Sequence, residues 1–397
     1  MTTYSNAAAN EPGRSSRAGS ETALLRIYCY LFYSTVALIV SYFPLYFADQ
    51  GYSPSEIGLI YAVGPAVSIA ANLLTGTASD KYRTIKKLLV ILFIGQLIML
   101  AALMQAGSFI WVFLIMAGFY FFQTPVMPLS DSMILLSTHS TGRNYPSIRI
   151  FGSIGFACSA FLIGLLLKAY GSGATLWITI TLVSLTLGVA LMLRDYQGSL
   201  KKMEFSGLYK LLAKPRIVLF FLLILIVSVA HRMYEGFLAL TLREMGASEG
   251  LIGTAWFASA LSEIPVLFLL GKYGHKLREL PLLAFASLMY AARFFMMSRI
   301  DDPSFVIVLQ LMHSISFGIY FSTALRYLTF LIPDEYRASG QAIYAIVWAG
   351  FAGLISGTAG GMLFESMGPH WFYAAASGLA LSAGIGFMLM HVTSRTR

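Results

Sequence analysis

Long apolar runs constrain this chain more than any other feature, because roughly 20 consecutive apolar residues are enough to cross a lipid bilayer as a helix. Four ionisable residues lie deep inside such runs: Asp131, Arg149, Glu263 and Arg293. A charge at that depth costs at least ~2.5–3.5 kcal/mol, so it must be paired, and it usually marks a transport route. The pattern predicts a membrane protein with a polar interior.

The composition supports this interpretation. Of the 397 residues, 57% are hydrophobic and 11% are charged, whereas soluble domains are about 25% charged. Cys29 and Cys158 lie inside apolar runs, which predicts small buried residues and neither a disulfide framework nor a metal site. The net charge of +9 does not indicate nucleic-acid binding, because Lys and Arg are concentrated in loops between the apolar runs.

Twelve apolar segments predict twelve transmembrane helices, here called spans one to twelve. They cover residues 24–48, 55–77, 86–106, 109–135, 146–168, 174–193, 216–240, 251–270, 281–298, 304–330, 340–363 and 371–391. The connections are short, except for one polar stretch between spans six and seven. The predicted organisation is a disordered cytosolic tail without a signal-peptide pattern (1–22), a six-helix bundle (23–193), a cytosolic linker (194–215), a second six-helix bundle (216–392) and a cytosolic tail (393–397).

The distribution of Lys and Arg predicts the orientation. Only Lys168, Arg243 and Arg299 lie in loops that follow odd-numbered spans, whereas nearly all the others lie at the termini or around the loops that follow even-numbered spans. Both termini are therefore predicted to be cytosolic. We call the face that carries the odd-numbered loops the predicted outer face.

The two halves are related by an internal repeat. A shift of 195 residues superposes Gly51 on Gly246, Ser53 on Ser248, Ile57 on Ile252, Gly58 on Gly253, Gly76 on Gly271, Lys81 on Lys276 and Arg83 on Arg278. Such repeats are typical of carriers in which two bundles rock about a site near the midplane.

Small and aromatic residues give weaker signals. Gly353, Gly357 and Gly361 recur every fourth residue in span eleven, which predicts close approach of another helix. Several aromatic residues could stack on a ring-bearing substrate, although most aromatics in membrane spans only pack or anchor the helix. These residues are Tyr28, Tyr30, Tyr33, Tyr120, Trp256, Tyr344 and Trp348.

The loop after span two, Gly76-Thr-Ala-Ser-Asp80-Lys81-Tyr-Arg83, resembles the G-x-x-x-D-[RK]-x-G-[RK]-[RK] loop of the major facilitator superfamily. The copy that begins at Gly271 is degenerate, and Arg83 stands where the family has Gly. The resemblance implies the superfamily's fold of two six-helix bundles. It also implies that Gly76, Asp80, Lys81 and Arg83 form a cytosolic gate, the alternative being a loop that only carries the inside-positive charge.

A second resemblance is to the proton-symporter branch of this superfamily, which includes phenylpropionate, lactose and nucleoside permeases. The segment from Tyr145 to Gly155 resembles the start of the branch's span five, around Arg149, and Asp131 stands at its span-four carboxylate. The resemblance implies that Asp131 and Arg149 bind substrate.

The same branch has a span-eight carboxylate, a span-nine Arg and a span-ten His, which Glu263, Arg293 and His313 resemble. These three residues are implied to bind substrate as well. Ser316 stands where lactose permease has a proton-carrying Glu, so the family's proton route is not intact.

Distances along the helices predict two ion pairs. Asp131 and Arg149 lie about 10 and 6 Å from the cytosolic ends of their spans, and Glu263 and Arg293 about 12 and 18 Å. Each pair could therefore meet across facing helices, to bind substrate or only to link two helices.

Glu263 is the leading candidate for the proton carrier, because burial disfavours its ionised form and a neighbouring Arg favours it. The other candidates are His313, His231 and Glu235. His231, Arg232 and Glu235 form a polar stripe in span seven, ~22–28 Å from its cytosolic end, which suggests an external gate. The alternative is a local pair between Arg232 and Glu235.

The sequence predicts a secondary active transporter of a small polar or anionic solute (an aromatic acid, sugar or nucleoside) in the cytoplasmic membrane of a bacterium. Proton symport is expected, with no other cofactor, no metal, no nucleic-acid partner and a monomeric state in the bilayer. No ATP-binding loop and no catalytic motif is present, so no enzyme is predicted. An uncoupled facilitator or exchanger, and a non-transporting membrane sensor on the same fold, remain alternatives.

Overall fold

The computed structural model describes residues 12–141, 144–196, 213–333 and 336–395. All regular secondary structure in these ranges is helical, and eleven helical segments within them are long and apolar enough to cross a membrane. The protein is therefore an all-helical membrane protein. The ends of the predicted tails (1–11 and 396–397) and most of the predicted linker (197–212) lie outside the described residues.

Ten of these segments keep the numbers of spans one to ten. Their helices are Pro12–Asp49, Pro54–Tyr82, Lys86–Leu103, Phe109–Gln123 with Val126–Thr141, Tyr145–Tyr170, Ala174–Met192, Pro215–Glu244, Glu249–Tyr273, Glu279–Met297, and Pro303–Leu311 with Ile319–Leu331. The first helix already begins within the predicted tail. The two helices of span ten are joined by a π-helical turn, Ser314–Gly318.

The last segment, Gly340–Thr393, reverses its direction at Gly368. Its 54 residues would reach about 80 Å as one straight helix, far more than a bilayer needs. The backbone leaves the helical region at Gly368, with φ 74° and ψ 173°. The rings of Phe364 and Phe372, on either side, lie 5.2 Å apart, which a straight helix would not allow. We call residues 340–367 the first arm and residues 369–393 the second arm.

The internal repeat is visible in the way spans two and eight begin. Gly51 and Gly246 have positive φ angles of 88° and 81°, which glycine adopts without steric cost. Two residues later, the side chains of Ser53 and Ser248 accept hydrogen bonds from backbone N–H groups in the first turn of each helix. The same residues therefore start both helices, as the 195-residue shift predicts.

Glycines allow the two halves of the chain to touch near the predicted outer face. A Cβ on Gly58 in span two would lie 2.1 Å from the carbonyl oxygen of Gly357 in the first arm. A Cβ on Gly253 in span eight would lie 2.4 Å from the carbonyl oxygen of Ala160 in span five. Only glycine fits at such distances, and both glycines lie within about one turn of the outer end of their span. We call these two crossings the outer seal.

Two polar contacts also join the halves at this face. Asp49 at the end of span one pairs with Arg243 of span seven, with Oδ1 and Nη2 2.8 Å apart. Glu365 in the first arm accepts a hydrogen bond of 2.9 Å from the backbone N–H of Ser55, at the start of span two. With the outer seal, these contacts join the two halves at the predicted outer face.

Candidate functional site

The helix of span four ends at Thr141 and that of span five begins at Tyr145, and Asp131 and Arg149 lie next to each other near these ends. The two side chains approach to 3.6 Å, between Oδ1 of Asp131 and Nε of Arg149. Tyr145 lies one helical turn before Arg149 and so on the same face of span five, and its hydroxyl donates a 2.9 Å hydrogen bond to the same carboxylate oxygen. The structure therefore places the two predicted residues together and adds Tyr145.

Arg149 lies flat against Tyr33 of span one. Its guanidinium carbon is 4.0 Å from the centre of the tyrosine ring, and Nη2 donates a hydrogen bond to the tyrosine hydroxyl. Gly152 makes this arrangement possible, because a Cβ there would lie 2.6 Å from the ring and 2.8 Å from Nη1 of Arg149. The side chains of Arg149 and Asp131 remain 22% and 30% exposed. We call Asp131, Arg149, Tyr33 and Tyr145 the first cluster.

His313 connects Glu263 to Arg293 in the second half. Its Nε2 lies 3.0 Å from Oε1 of Glu263, and its Nδ1 lies 3.1 Å from Nη1 of Arg293. A guanidinium can only donate hydrogen bonds, so Nδ1 accepts one and carries no proton. The geometry is therefore that of a neutral imidazole, which carries its proton on Nε2 and donates it in a hydrogen bond to the Glu263 carboxylate.

The direct pair predicted between Glu263 and Arg293 is wrong. Counting residues along a helix gives depth but not lateral neighbours, and span ten places the His313 ring between the two side chains. Arg293 instead donates to the side-chain oxygen of Gln310 and lies over the ring of Tyr234, at 4.2 Å from its centre. Arg293 is fully buried, whereas the Glu263 side chain is 29% exposed. We call Glu263, His313, Arg293, Gln310 and Tyr234 the second cluster.

The polar stripe of span seven lies next to the second cluster. The imidazole of His231 is buried, with its ring centre 6.1 Å from that of His313. Its Nε2 lies 3.2 Å from Glu235, and its Nδ1 lies 3.1 Å from the hydroxyl of Tyr290. The local contact between Arg232 and Glu235 is also present, at 3.5 Å. His231 and Glu235 are thus continuous with the second cluster rather than a separate group near the predicted outer face.

Comparisons with known proteins agree with this architecture. A family model described as "MFS_1 like family" matches residues 23–375. The chain belongs to the major facilitator superfamily. Its relatives include a probable 3-phenylpropionic acid transporter of Escherichia coli (strain K12), 25% identical over 366 residues, which cover 89% of this chain and 94% of the relative. Another is the maltose permease of Geobacillus stearothermophilus, 29% identical over 363 residues, which cover 88% and 89%.

A solved structure supports the fold. The crystal structure of the nucleoside transporter NupG superposes with a TM-score of 0.80 at 17% identity, over 93% of this chain and 98% of that one. The curated relatives are transporters, in agreement with the prediction that the chain is not an enzyme. This superfamily member is therefore a transporter-type, multi-pass membrane protein.

The superfamily loop at the predicted cytosolic gate is exposed. Arg83 ends span two in a left-handed conformation with φ 50°, at the position where the superfamily has Gly. The side chains of Asp80, Lys81 and Arg83 are exposed, and within the described ranges none of them forms an ion pair. Gly76 lies in the last turns of span two, with open space around it. Among the described residues of the second half, Asp80, Lys81 and Arg83 thus have no ion-pair partner.

Sequence reasoning missed the uncharged partners of the clusters. Tyr145, Gln310 and Tyr234 each contact a charged residue, yet none was among the predicted site residues. Gln310 carried a usable signal, because an amide inside an apolar span needs a hydrogen-bond partner. Within the described residues, no three His, Cys, Asp or Glu side chains are arranged to hold a metal ion.

Proposed function

We propose that this protein is a secondary active transporter, which moves a small polar or anionic organic solute across the cytoplasmic membrane of a bacterium. Transport proceeds by alternating access and is coupled to proton symport. The observation that carries the proposal is the hydrogen-bonded series Glu263–His313–Arg293, in which a partly exposed carboxylate is joined to a fully buried cation. Charges at this depth are costly, so transport function accounts for them better than a structural role does.

The topology that we propose has twelve membrane spans in two six-helix bundles, with both termini in the cytosol. The two arms on either side of Gly368 are spans eleven and twelve. Reporter fusions after Lys87 should then give a cytosolic signal, and fusions after Gly107 an external one. A cytosolic signal from the Gly107 fusion would overturn this topology.

The first cluster is the proposed substrate site. Arg149 offers a planar fork of donors suited to a carboxylate or a pair of hydroxyls, and a solute can exchange with Asp131 for it. The proteins named above are a probable 3-phenylpropionic acid transporter, a maltose permease and a nucleoside transporter, which gives three substrate classes to test.

The second cluster is the proposed proton site. When Glu263 takes up a proton, the hydrogen bond from Nε2 of His313 loses its charged acceptor, and the link between spans eight and ten weakens. Arg293 meanwhile keeps its contacts with Gln310 and Tyr234, so no buried cation is left without a partner. Protonation can thus loosen a helix contact without breaking the buried part of the cluster.

Uptake into proteoliposomes tests the coupling, with radiolabelled 3-phenylpropionate, maltose and uridine as probes. With the external medium acidic, wild-type protein should accumulate at least one of them above equilibrium, and a protonophore should abolish the accumulation. Glu263→Gln should lose accumulation but keep exchange of preloaded substrate, since Gln resembles the protonated carboxyl but cannot release a proton. Accumulation that survives in Glu263→Gln would transfer the role to His313, His231, Glu235 or Asp131.

An uncoupled facilitator or exchanger is the second candidate, and Ser316 favours it. The hydroxyl of Ser316 is buried and donates to carbonyl oxygens of Met312 and His313, at 2.9 and 3.1 Å. It thus fills a local backbone role at the place where lactose permease has its proton-carrying Glu. Wild-type uptake that equilibrates but ignores the pH gradient would decide for the facilitator.

A further inference from the structure

Phe156 and Trp256 form an aromatic contact between the two halves. The ring centres lie 6.2 Å apart with an interplanar angle of 74°, an edge-to-face arrangement. Phe156 belongs to span five and Trp256 to span eight, the pair of helices that cross at Ala160 and Gly253. The contact therefore lies about one turn from the outer seal, on its inner side.

The same two helices carry a charged residue of each cluster. Phe156 follows Arg149 by seven residues, and Trp256 precedes Glu263 by seven. Seven residues are close to two helical turns, so each aromatic residue shares a helix face with its charged residue and lies about 10 Å nearer the predicted outer face. The ring pair therefore lies on the outer side of both Arg149 and Glu263, about two turns away along each helix.

The indole nitrogen of Trp256 has no hydrogen-bond partner. The side chain is only 4% exposed, and Nε1 is buried without an acceptor among the described residues. A buried donor that makes no hydrogen bond is costly, and native structures contain few of them. An acceptor supplied by a solute would remove that cost.

We propose that the indole N–H of Trp256 donates a hydrogen bond to the substrate, and so selects molecules with acceptors at both ends. This inference rests on the proposed transport function. One end of the substrate lies at Arg149 and Glu263, and the other reaches the ring pair about 10 Å away. A disaccharide or a nucleoside meets this requirement, whereas an arylalkanoate such as 3-phenylpropionate has its only acceptors at one end.

The unpaired indole N–H discriminates between these classes of solute. A site built to donate a hydrogen bond rejects a molecule that lacks the acceptor, because the buried donor then remains unpaired. An arylalkanoate held at Arg149 would leave Nε1 of Trp256 in the state that the structure describes. A two-ended solute would pair it.

The decisive variant is Trp256→Phe, which keeps an aromatic ring against Phe156 but removes the N–H. Stabilisation of the purified protein by maltose, uridine and 3-phenylpropionate is measured by thermal shift over a concentration series. The half-maximal concentration for maltose or uridine should rise about tenfold in the variant, while that for any residual binding of 3-phenylpropionate should stay unchanged. Trp177→Phe is the control, because Trp177 is 61% exposed on span six and should leave all values unchanged.

Three outcomes would overturn the inference. An equal loss for all three probes would mean that ring packing, and not the hydrogen bond, is what the variant removed. Unchanged values for maltose and uridine would mean that Nε1 does not contact the solute. A wild type stabilised by 3-phenylpropionate alone, or by none of the probes, would contradict the two-ended substrate. Because binding is measured without a gradient, a failure of coupled transport shows up separately, in the liposome assay.

Discussion

Arg149 and Arg293 each lie across the face of a tyrosine, at 4.0 Å from the ring centre of Tyr33 and 4.2 Å from that of Tyr234. Their surroundings differ. Arg149 is 22% exposed and its carboxylate partner Asp131 is 30% exposed, whereas Arg293 is fully buried.

An arginine that lies over a tyrosine ring can therefore either exchange its partners or keep them, depending on how exposed it is. A partly exposed guanidinium can exchange one partner for another at little cost, because water replaces lost hydrogen bonds. A fully buried guanidinium cannot, since any lost partner leaves an uncompensated charge. We therefore expect the first cluster to change its contacts during transport and the buried part of the second cluster to hold them.

Substitution of Arg149 should produce the largest change in activity. Arg149→Ala and Asp131→Ala should each lower uptake on the order of 100-fold or more, because each removes one side of a charged, hydrogen-bonded pair. Arg149→Lys should fail as well, since a lysine cannot supply the planar fork. Near-normal uptake by Arg149→Ala in proteoliposomes would reduce the first cluster to a packing element.

Substitution of Arg293 should reveal the difference between the clusters through stability. Arg293→Ala leaves Nδ1 of His313 without its donor, removes one of the two donors to the side-chain oxygen of Gln310 and opens a void. We expect a loss of about 3 kcal/mol in the free energy of unfolding. Thermal unfolding of purified protein measures this, with Arg149→Ala as the matched control that should unfold close to the wild-type temperature. Equal shifts in the two variants would remove the distinction between an exchangeable and a fixed cluster.

The smallest effects are expected from the two tyrosines beneath the arginines. Tyr33→Phe keeps the ring under Arg149 but removes a hydrogen-bond acceptor, and a few-fold loss of uptake should follow, the equivalent of about 1 kcal/mol. Tyr234→Phe removes the 3.1 Å hydrogen bond from its hydroxyl to Gln310 and should lower the unfolding temperature slightly while uptake is retained. A loss of uptake in Tyr234→Phe together with a lower unfolding temperature in Tyr33→Phe would contradict the difference between the two clusters.

The sequence was sufficient to predict the contact between Asp131 and Arg149 but not the arrangement of Glu263 and Arg293, and the helix connections explain why. Asp131 and Arg149 belong to consecutive antiparallel spans that are only a few residues apart along the chain, so similar depths from the same membrane face already imply proximity. Glu263 and Arg293 also belong to consecutive spans, but a third helix intervenes through His313. Helical periodicity contains no information about which helix fills a lateral gap.

The features of the fold can likewise be divided into those that the sequence predicts and those that it does not. The capping serines and turn glycines of spans two and eight are local features, and the repeat of single residues at a shift of 195 includes both of them. The close approach predicted at Gly357 is confirmed, because a missing side chain is itself visible in the sequence. The partnerless indole of Trp256 could not be predicted, since it depends on everything that surrounds it.

The π-helical turn Ser314–Gly318 follows directly after His313, and a second one, Ile346–Phe351, lies in the first arm. A π-helical turn contains more residues than an α-helical turn does. These extra residues form a local irregularity within an otherwise continuous helix. If the π-helical turn moves along the helix by one residue, the side chains that it passes rotate by about 100° while both ends of the helix stay in place. Span ten thus contains the means to turn the aromatic ring of Phe317 relative to His313 without any tilting of the bundle, a twist inside one helix in addition to the rocking that we propose for the two halves.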